Sequence, residues 1–165
     1  MGGSTFRSAT AVDLFVARQP IFDAAGRLDG YELLYRSGAT SLSADGASRE
    51  QMSLDVLIQS VLEIGIERIT GGSTAYLNFS RRMLLTQSFD LLDPARVVIE
   101  LLEDVISDDP VVASCARLAA AGYRLALDDY EPGGPQDRLL PYTSIVKVDV
   151  LGRSLEEIRS IVDAL

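Results

Sequence analysis

Lysine and cysteine are almost absent from this chain. Of its 15 basic residues, 14 are Arg and one, Lys147, is Lys. The lone Cys115 excludes an internal disulfide. No stretch approaches the roughly 18 apolar residues that span a bilayer, and the opening MGGSTFRSATAVDL lacks the apolar core of a signal peptide. Phe6 stands where N-myristoylation requires Ser or Thr. Neither GxGxxG nor GxxxxGKS/T occurs, which argues against dinucleotide-binding and P-loop chemistry. Clustered Lys and Arg are missing too: the net charge is −9 and the pI about 4.4, so neither nucleic acid nor a membrane is expected as a partner. A soluble, reducing, cytoplasmic setting is the default expectation.

What is present is a core-forming chain of 165 residues, 47% hydrophobic, enough for one domain or most of one. Its strand-like segments share a feature. Glu32 in GYELLYR, Asn78 in AYLNFS, Glu100 in VVIELLED, Asp128 and Asp129 in LALDDY and Lys147 in SIVKVD each put a metal- or phosphate-binding group in or just after an apolar run. A charge buried there must be paired, metal-bound or neutralised, because desolvating it costs several kcal/mol. Hard cations such as Mg²⁺ or Mn²⁺ prefer such oxygen ligands. The only lysine standing among them suggests a chemical choice, since Lys and Arg differ in shape and hydration.

Helix-like stretches separate these segments. Asp23-Ala24-Ala25-Gly26 predicts an opening hairpin between VDLFVARQPIF and GRLDGYELLYR. Ser48 and Gln51 form a capping box for a helix running to Gly65. Ser80 is expected to cap the helix RRMLLTQ, Asp109-Pro110 to open VVASCARLAAA, and the box Ser154 and Glu157 to begin the last helix. Cys115 shares a helix face with Val111 and Leu118 and reads as core. The alternation predicts an α/β fold: a partial or modified TIM-like (β/α) barrel with an N-terminal β-hairpin and its site at the strand C-termini. A full barrel needs about 250 residues. The expected organisation is a disordered or tag-like 1–11 followed by one domain, 12–165, lacking the last strands. Each polar residue also has a plainer reading: Glu32 paired with Arg18 or Arg36, Asn78 a strand-end cap. These do not explain the recurrence on successive strands.

The residues resemble the EAL domains of cyclic-di-GMP signalling, most closely the variety joined to a C-terminal HDOD domain. FVARQPIFD followed by GYELLYRSG carries the most specific match. The resemblance implies metal ligation by Glu32, Asn78, Glu100, Asp128 and Asp129 with Mg²⁺ or Mn²⁺, and ligand contacts from Gln19 and Arg36. It also implies a loop anchor at Glu103 and a catalytic role for Lys147. Implied partners are cyclic-di-GMP, a protein partner or HDOD-like domain, and a second copy in a homodimer.

Two departures matter. The signature reads Glu32-Leu33-Leu34, and the family's glycine-rich loop is replaced by Tyr130-Glu131-Pro132-Gly133-Gly134-Pro135. The family's later glutamate, its proposed general base, has no counterpart in this sequence. The expected function is therefore a degenerate, non-catalytic EAL-like signalling or scaffold module. The alternative is a Mg/Mn-dependent cyclic-di-GMP phosphodiesterase in the full-length protein. An unrelated metal-dependent barrel enzyme is a weaker third reading.

Overall fold

The structure, a computed structural model, describes residues 14–37, 65–86 and 92–165, with backbone alone at 14–16 and 35–37. The N-terminal tail, the segment 38–64 and the capping box at Ser48 lie outside the described residues.

Strands β1 (Leu14–Phe22) and β2 (Leu28–Ser37) form the expected antiparallel hairpin. Asp23 builds the turn: its Oδ1 accepts from the backbone N–H of Ala25 and Arg27, both at 2.9 Å, and its Oδ2 from Arg27 Nε at 2.8 Å. Gly26 takes the left-handed φ of 73° that closes it. Strands β3 (Thr74–Phe79), β4 (Val97–Leu101), β5 (Arg124–Leu127) and β6 (Ile145–Val146) then add in parallel. The result is one six-stranded sheet in sequence order, curled into a half-barrel with β1 and β6 at its edges.

Alternation along the strands sorts side chains to two faces. Leu77, Phe79, Ile99, Leu101, Leu125 and Leu127 point outward into the main core. There they meet helix α3 (Asp109–Ala120), whose Val111, Cys115 and Leu118 are fully buried. Burial of each such side chain contributes about 1.5–3 kcal/mol. The inner face carries only a small apolar cluster of Tyr76, Val98 and Ala126, flanked by Ile21 and Ile145. This asymmetry positions the site: one step further along the same inner face, apolar side chains give way to polar ones.

Short helices α1 (Ile66–Thr70) and α2 (Arg81–Leu85) flank β3, a 3₁₀ helix (Pro135–Tyr142) leads into β6, and α4 (Leu155–Asp163) follows. The capping box of α4 forms as expected: Ser154 Oγ accepts from Glu157 N at 3.2 Å, and Glu157 Oε2 accepts from Ser154 N at 2.7 Å. Three expectations need correction. Helix α2 ends at Leu85, and the Ser80 side chain makes no cap hydrogen bond. The N-cap of α3 is Asp108 rather than Asp109, its Oδ1 accepting from Val111 N at 3.2 Å; the preceding residue reaches the orphan amide that Asp109, already helical, cannot. The strand expected over SIVKVDV is regular only at Ile145–Val146; Lys147 N still donates to Leu127 O at 2.9 Å, and the chain then turns at Asp149, whose Oδ1 accepts from Leu151 N at 2.9 Å.

Candidate functional site

Parallel register sets the site. Asn78 lies beside Glu100 across β3 and β4, Glu100 beside Ala126 across β4 and β5, and Leu127 beside Val146 across β5 and β6. Asp128 and Lys147, each one residue beyond the last of these pairs, therefore reach the same rim as Asn78 and Glu100. Glu32 joins from β2, where Gly30 allows the close approach of its neighbour. A Cβ there would stand 2.5 Å from Thr74 O and 2.8 Å from Tyr76 Cε2. The Tyr76 ring thus lies against β2, its hydroxyl donating to Asp29. Burial, and then the Asp29 carboxylate, push that phenol up to about 12.

Lys147 is the hub. Its Nζ lies 2.8 Å from Glu100 Oε1, 3.0 Å from Asp128 Oδ1 and 3.2 Å from Glu32 Oε2. Burial alone would lower the ammonium, but the hydrogen bonds to Glu100 and Asp128 and the nearby charges of Glu100 and Glu32 outweigh it and hold it above the ordinary lysine range. It stays protonated. Glu100 has no solvent exposure, and burial pushes its carboxyl up to about 7 although Lys147 opposes the shift. One ammonium thus faces three carboxylates, an excess of negative charge that a divalent cation would offset.

The hydrogen-bond inventory points the same way. Asn78 Nδ2 donates to Glu32 Oε1 at 2.9 Å, yet Asn78 Oδ1 and Glu100 Oε2 are buried with no hydrogen-bond partner among the described residues. Leaving such an acceptor unsatisfied costs about 1–3 kcal/mol. Both are the hard oxygen donors that Mg²⁺, Mn²⁺ or Ca²⁺ selects. Beside them, Glu103, Asp128 and Asp129 each offer an oxygen, all within 4.8 Å of one another. Burial first, then the charges of Asp128, Glu103 and Asp149, raise the Asp129 carboxyl. Asp129 also adopts a left-handed φ of 44°, unique among the described non-glycine residues. The donor set fits a hard divalent cation. Glu32, Asn78, Glu100 and Asp128 would hold it, with Asp129 and Glu103 alongside, and such an ion supplies charge neutralisation to a phosphoryl group.

The structure brings together Glu32, Asn78, Glu100, Asp128 and Lys147, and places Glu103 with the aspartates rather than apart from them. Gln19 is the register partner of Glu32 on β1 and is exposed. The Arg36 backbone pairs with Phe15, and its side chain lies outside the described residues. Arg18, offered above as a partner for Glu32, instead donates to Ile69 O at 2.8 Å and stacks 4.7 Å over the Tyr31 ring. One contributor escaped the sequence reading. Gln136, 5% exposed, shares its Nε2 between Leu102 O at 3.5 Å and Asp128 O at 3.4 Å. It ties the turn that bears Glu103 to the turn that bears Asp129. Nearby, Asp137 pins the departed loop by accepting from Tyr130 Oη at 2.7 Å and Gly133 N at 3.0 Å, and Glu131 pairs with Arg153.

No family model matches the sequence. Among solved structures, the chain resembles the Bacillus subtilis YkuI protein, with an EAL domain, in complex with substrate c-di-GMP and calcium. The TM-score is 0.65 at 20% identity, over 91% of this chain and 44% of that one. The chain has the fold of an EAL domain. In sequence it is 37% identical over 155 residues to the uncharacterized protein YuxH of Bacillus subtilis, which covers 90% of this chain and 37% of YuxH. It is 30% identical over 148 residues to the cyclic di-GMP phosphodiesterase CdgJ of Vibrio cholerae, covering 90% and 34%. The chain is therefore related to EAL-domain cyclic di-GMP phosphodiesterases, and it spans just over a third of the length of these curated relatives. Among the described residues no helix is long and apolar enough to cross a membrane.

Proposed function

We propose that this chain is a degenerate EAL-like signalling module that binds cyclic di-GMP through a divalent cation, Mg²⁺ or Mn²⁺, and does not by itself hydrolyse it. The single observation behind the binding reading is the rim itself. Three carboxylates converge on Lys147 while Asn78 Oδ1 and Glu100 Oε2 are buried with no hydrogen-bond partner among the described residues. A phosphodiester would meet the cation held there, with Arg36 and Gln19 as further ligand contacts carried over from the family resemblance. Lys147, tied to three carboxylates, balances and orients the ligand carboxylates. One feature supports the absence of turnover. The loop after Asp129 carries Glu131 and Pro132 in place of the family's glycine-rich run, and Glu131 is held by Arg153.

A second reading is favoured by the likeness to CdgJ: in a longer chain the same rim serves a Mg²⁺- or Mn²⁺-dependent phosphodiesterase. The two separate in one experiment on the full-length protein. Isothermal titration with cyclic di-GMP in Mg²⁺ and in EDTA reads binding, and chromatography for the linear dinucleotide reads hydrolysis. Metal-dependent binding without product supports the proposal. Turnover near 1 s⁻¹, the low end of ordinary enzymes, that is lost in Glu32→Ala would establish the second reading instead.

A further inference from the structure

The strand ladder loses its regular step at one of the rim residues. Lys147 N donates to Leu127 O at 2.9 Å, and a regular parallel pair would next have the Asp129 amide donate to Lys147 O. Tyr130 N makes that bond instead, at 3.0 Å. Asp129 is therefore one extra residue, as in a β-bulge, a feature that re-aims a side chain. Alternation would send the residue after Asp128 to the opposite face of the sheet. The left-handed φ of 44° breaks that alternation, and the Asp129 carboxylate comes within 4.8 Å of those of Asp128 and Glu103. A residue with a Cβ keeps such a backbone only where its surroundings fix it.

The 3₁₀ helix fixes it from both sides. Tyr130 is buried, and its Oη donates to Asp137 Oδ1 at 2.7 Å. Before the bulge, Asp128 O accepts from Gln136 Nε2 at 3.4 Å, and the same buried nitrogen donates to Leu102 O at 3.5 Å. These two carbonyls belong to the peptide units that lead into Asp129 and Glu103.

We propose that Gln136 is a positioning residue for the cation site: by holding the Asp128–Asp129 and Leu102–Glu103 peptide units together, it sets the Asp129 carboxylate beside that of Glu103. The inference rests on the cation-binding rim described above. Glutamine suits the task because its amide nitrogen carries two N–H donors, one for each carbonyl, and no charge. A glutamate would offer neither carbonyl a donor, and a lysine would pair with the carboxylates in place of the cation. The loop from Glu131 to Pro135 thereby keeps a function although its sequence departs from the family pattern, since it carries the chain from the bulge to the residue that braces it.

The test measures Mn²⁺ affinity by electron paramagnetic resonance in the full-length protein and in its Gln136→Met variant, which keeps the side-chain length and removes the donors. Both are measured again with Asp129→Gly, which leaves the left-handed backbone accessible and removes the carboxylate. Gln136→Met should weaken Mn²⁺ about tenfold, the low end of the loss when a group that orients metal ligands is removed. In the Asp129→Gly background the same change should cost about twofold or less, because the two positions act through one carboxylate. Gln136→Asn, the same amide one methylene shorter, should behave like Gln136→Met, so the result does not depend on one variant folding; circular dichroism identifies the folded ones. A folded Gln136 variant with wild-type affinity, or with an equal fold-loss in both backgrounds, overturns the role of Gln136 alone. Failure of the wild type to bind Mn²⁺ overturns the cation site, and this role with it.

Discussion

The Lys147 ammonium stands 2.8 Å from Oε1 of Glu100, a carboxylate that solvent does not reach. Everything else at the rim is arranged around that pair, and its removal is the most direct probe of how the site is held. Lys147→Met should destabilise the metal-free chain toward the lower end of about 3–5 kcal/mol, because it strands a buried charge while Lys147 itself is part-exposed. Urea denaturation in EDTA measures the loss. The double variant with Glu100→Gln should recover most of it; a double variant as unstable as the single one would mean that packing, not charge, sets the cost.

Gly30→Ala should destabilise by about 1–3 kcal/mol, the usual cost of forcing atoms into a packed site. The added methyl would meet the Thr74 carbonyl oxygen, backbone that cannot swing aside, as well as the Tyr76 ring. Thermal melts of the two proteins decide it, and equal midpoints would show that β2 and β3 are further apart than described.

Acid should act at the start of α3. The hydrogen bond from Arg81, and then the Val111 amide, hold the Asp108 carboxyl below its usual value despite some desolvation. A depressed folded value means that the unfolded chain binds more protons, so this contribution is present above about pH 4, the ordinary aspartate value, and is lost as pH falls through the folded value. Asp108→Asn should therefore be less stable than wild type at pH 7, with the gap closing as the pH is taken below about 4, the ordinary aspartate value. A gap that stays constant across that range would assign Asp108 a capping role without a charge role.

Cys115 should be inert in the native chain. It is fully buried, and desolvation pushes its thiol up to about 11, so little thiolate exists at pH 8 to attack an alkylating agent. Iodoacetamide labelling should rise with the unfolded fraction in a urea series. Rapid labelling in buffer alone would contradict the packing of α3 on the sheet.

Much of this arrangement was readable from residue order. Polar groups at the ends of Glu32-, Asn78-, Glu100- and Asp128-bearing apolar runs can share a rim only if the strands run parallel, and the helix-like stretches between them require that. The Ser154 and Glu157 box and the buried Val111, Cys115 and Leu118 face follow from helical spacing alone. What could not be read depends on contacts between distant segments. Whether Ser80 caps a helix is decided by the side chains around it, and the length of β6 by where Asp149 turns the chain. Gln136 looks like any polar residue in a loop until folding buries its amide between two turns. Glycine at position 30 carries no turn signal, since its reason is the Tyr76 ring on the next strand.

The central claim is that Glu32, Asn78, Glu100 and Asp128 form a cation site around Lys147. Mn²⁺ titration followed by electron paramagnetic resonance tests it on the chain alone, without nucleotide. The account predicts at least one bound Mn²⁺ per chain and a loss of affinity of tenfold or more in both Asn78→Ala, which removes the amide oxygen, and Glu100→Gln, which removes the carboxylate charge and one of its oxygens. Wild-type Mn²⁺ binding in both variants would contradict it.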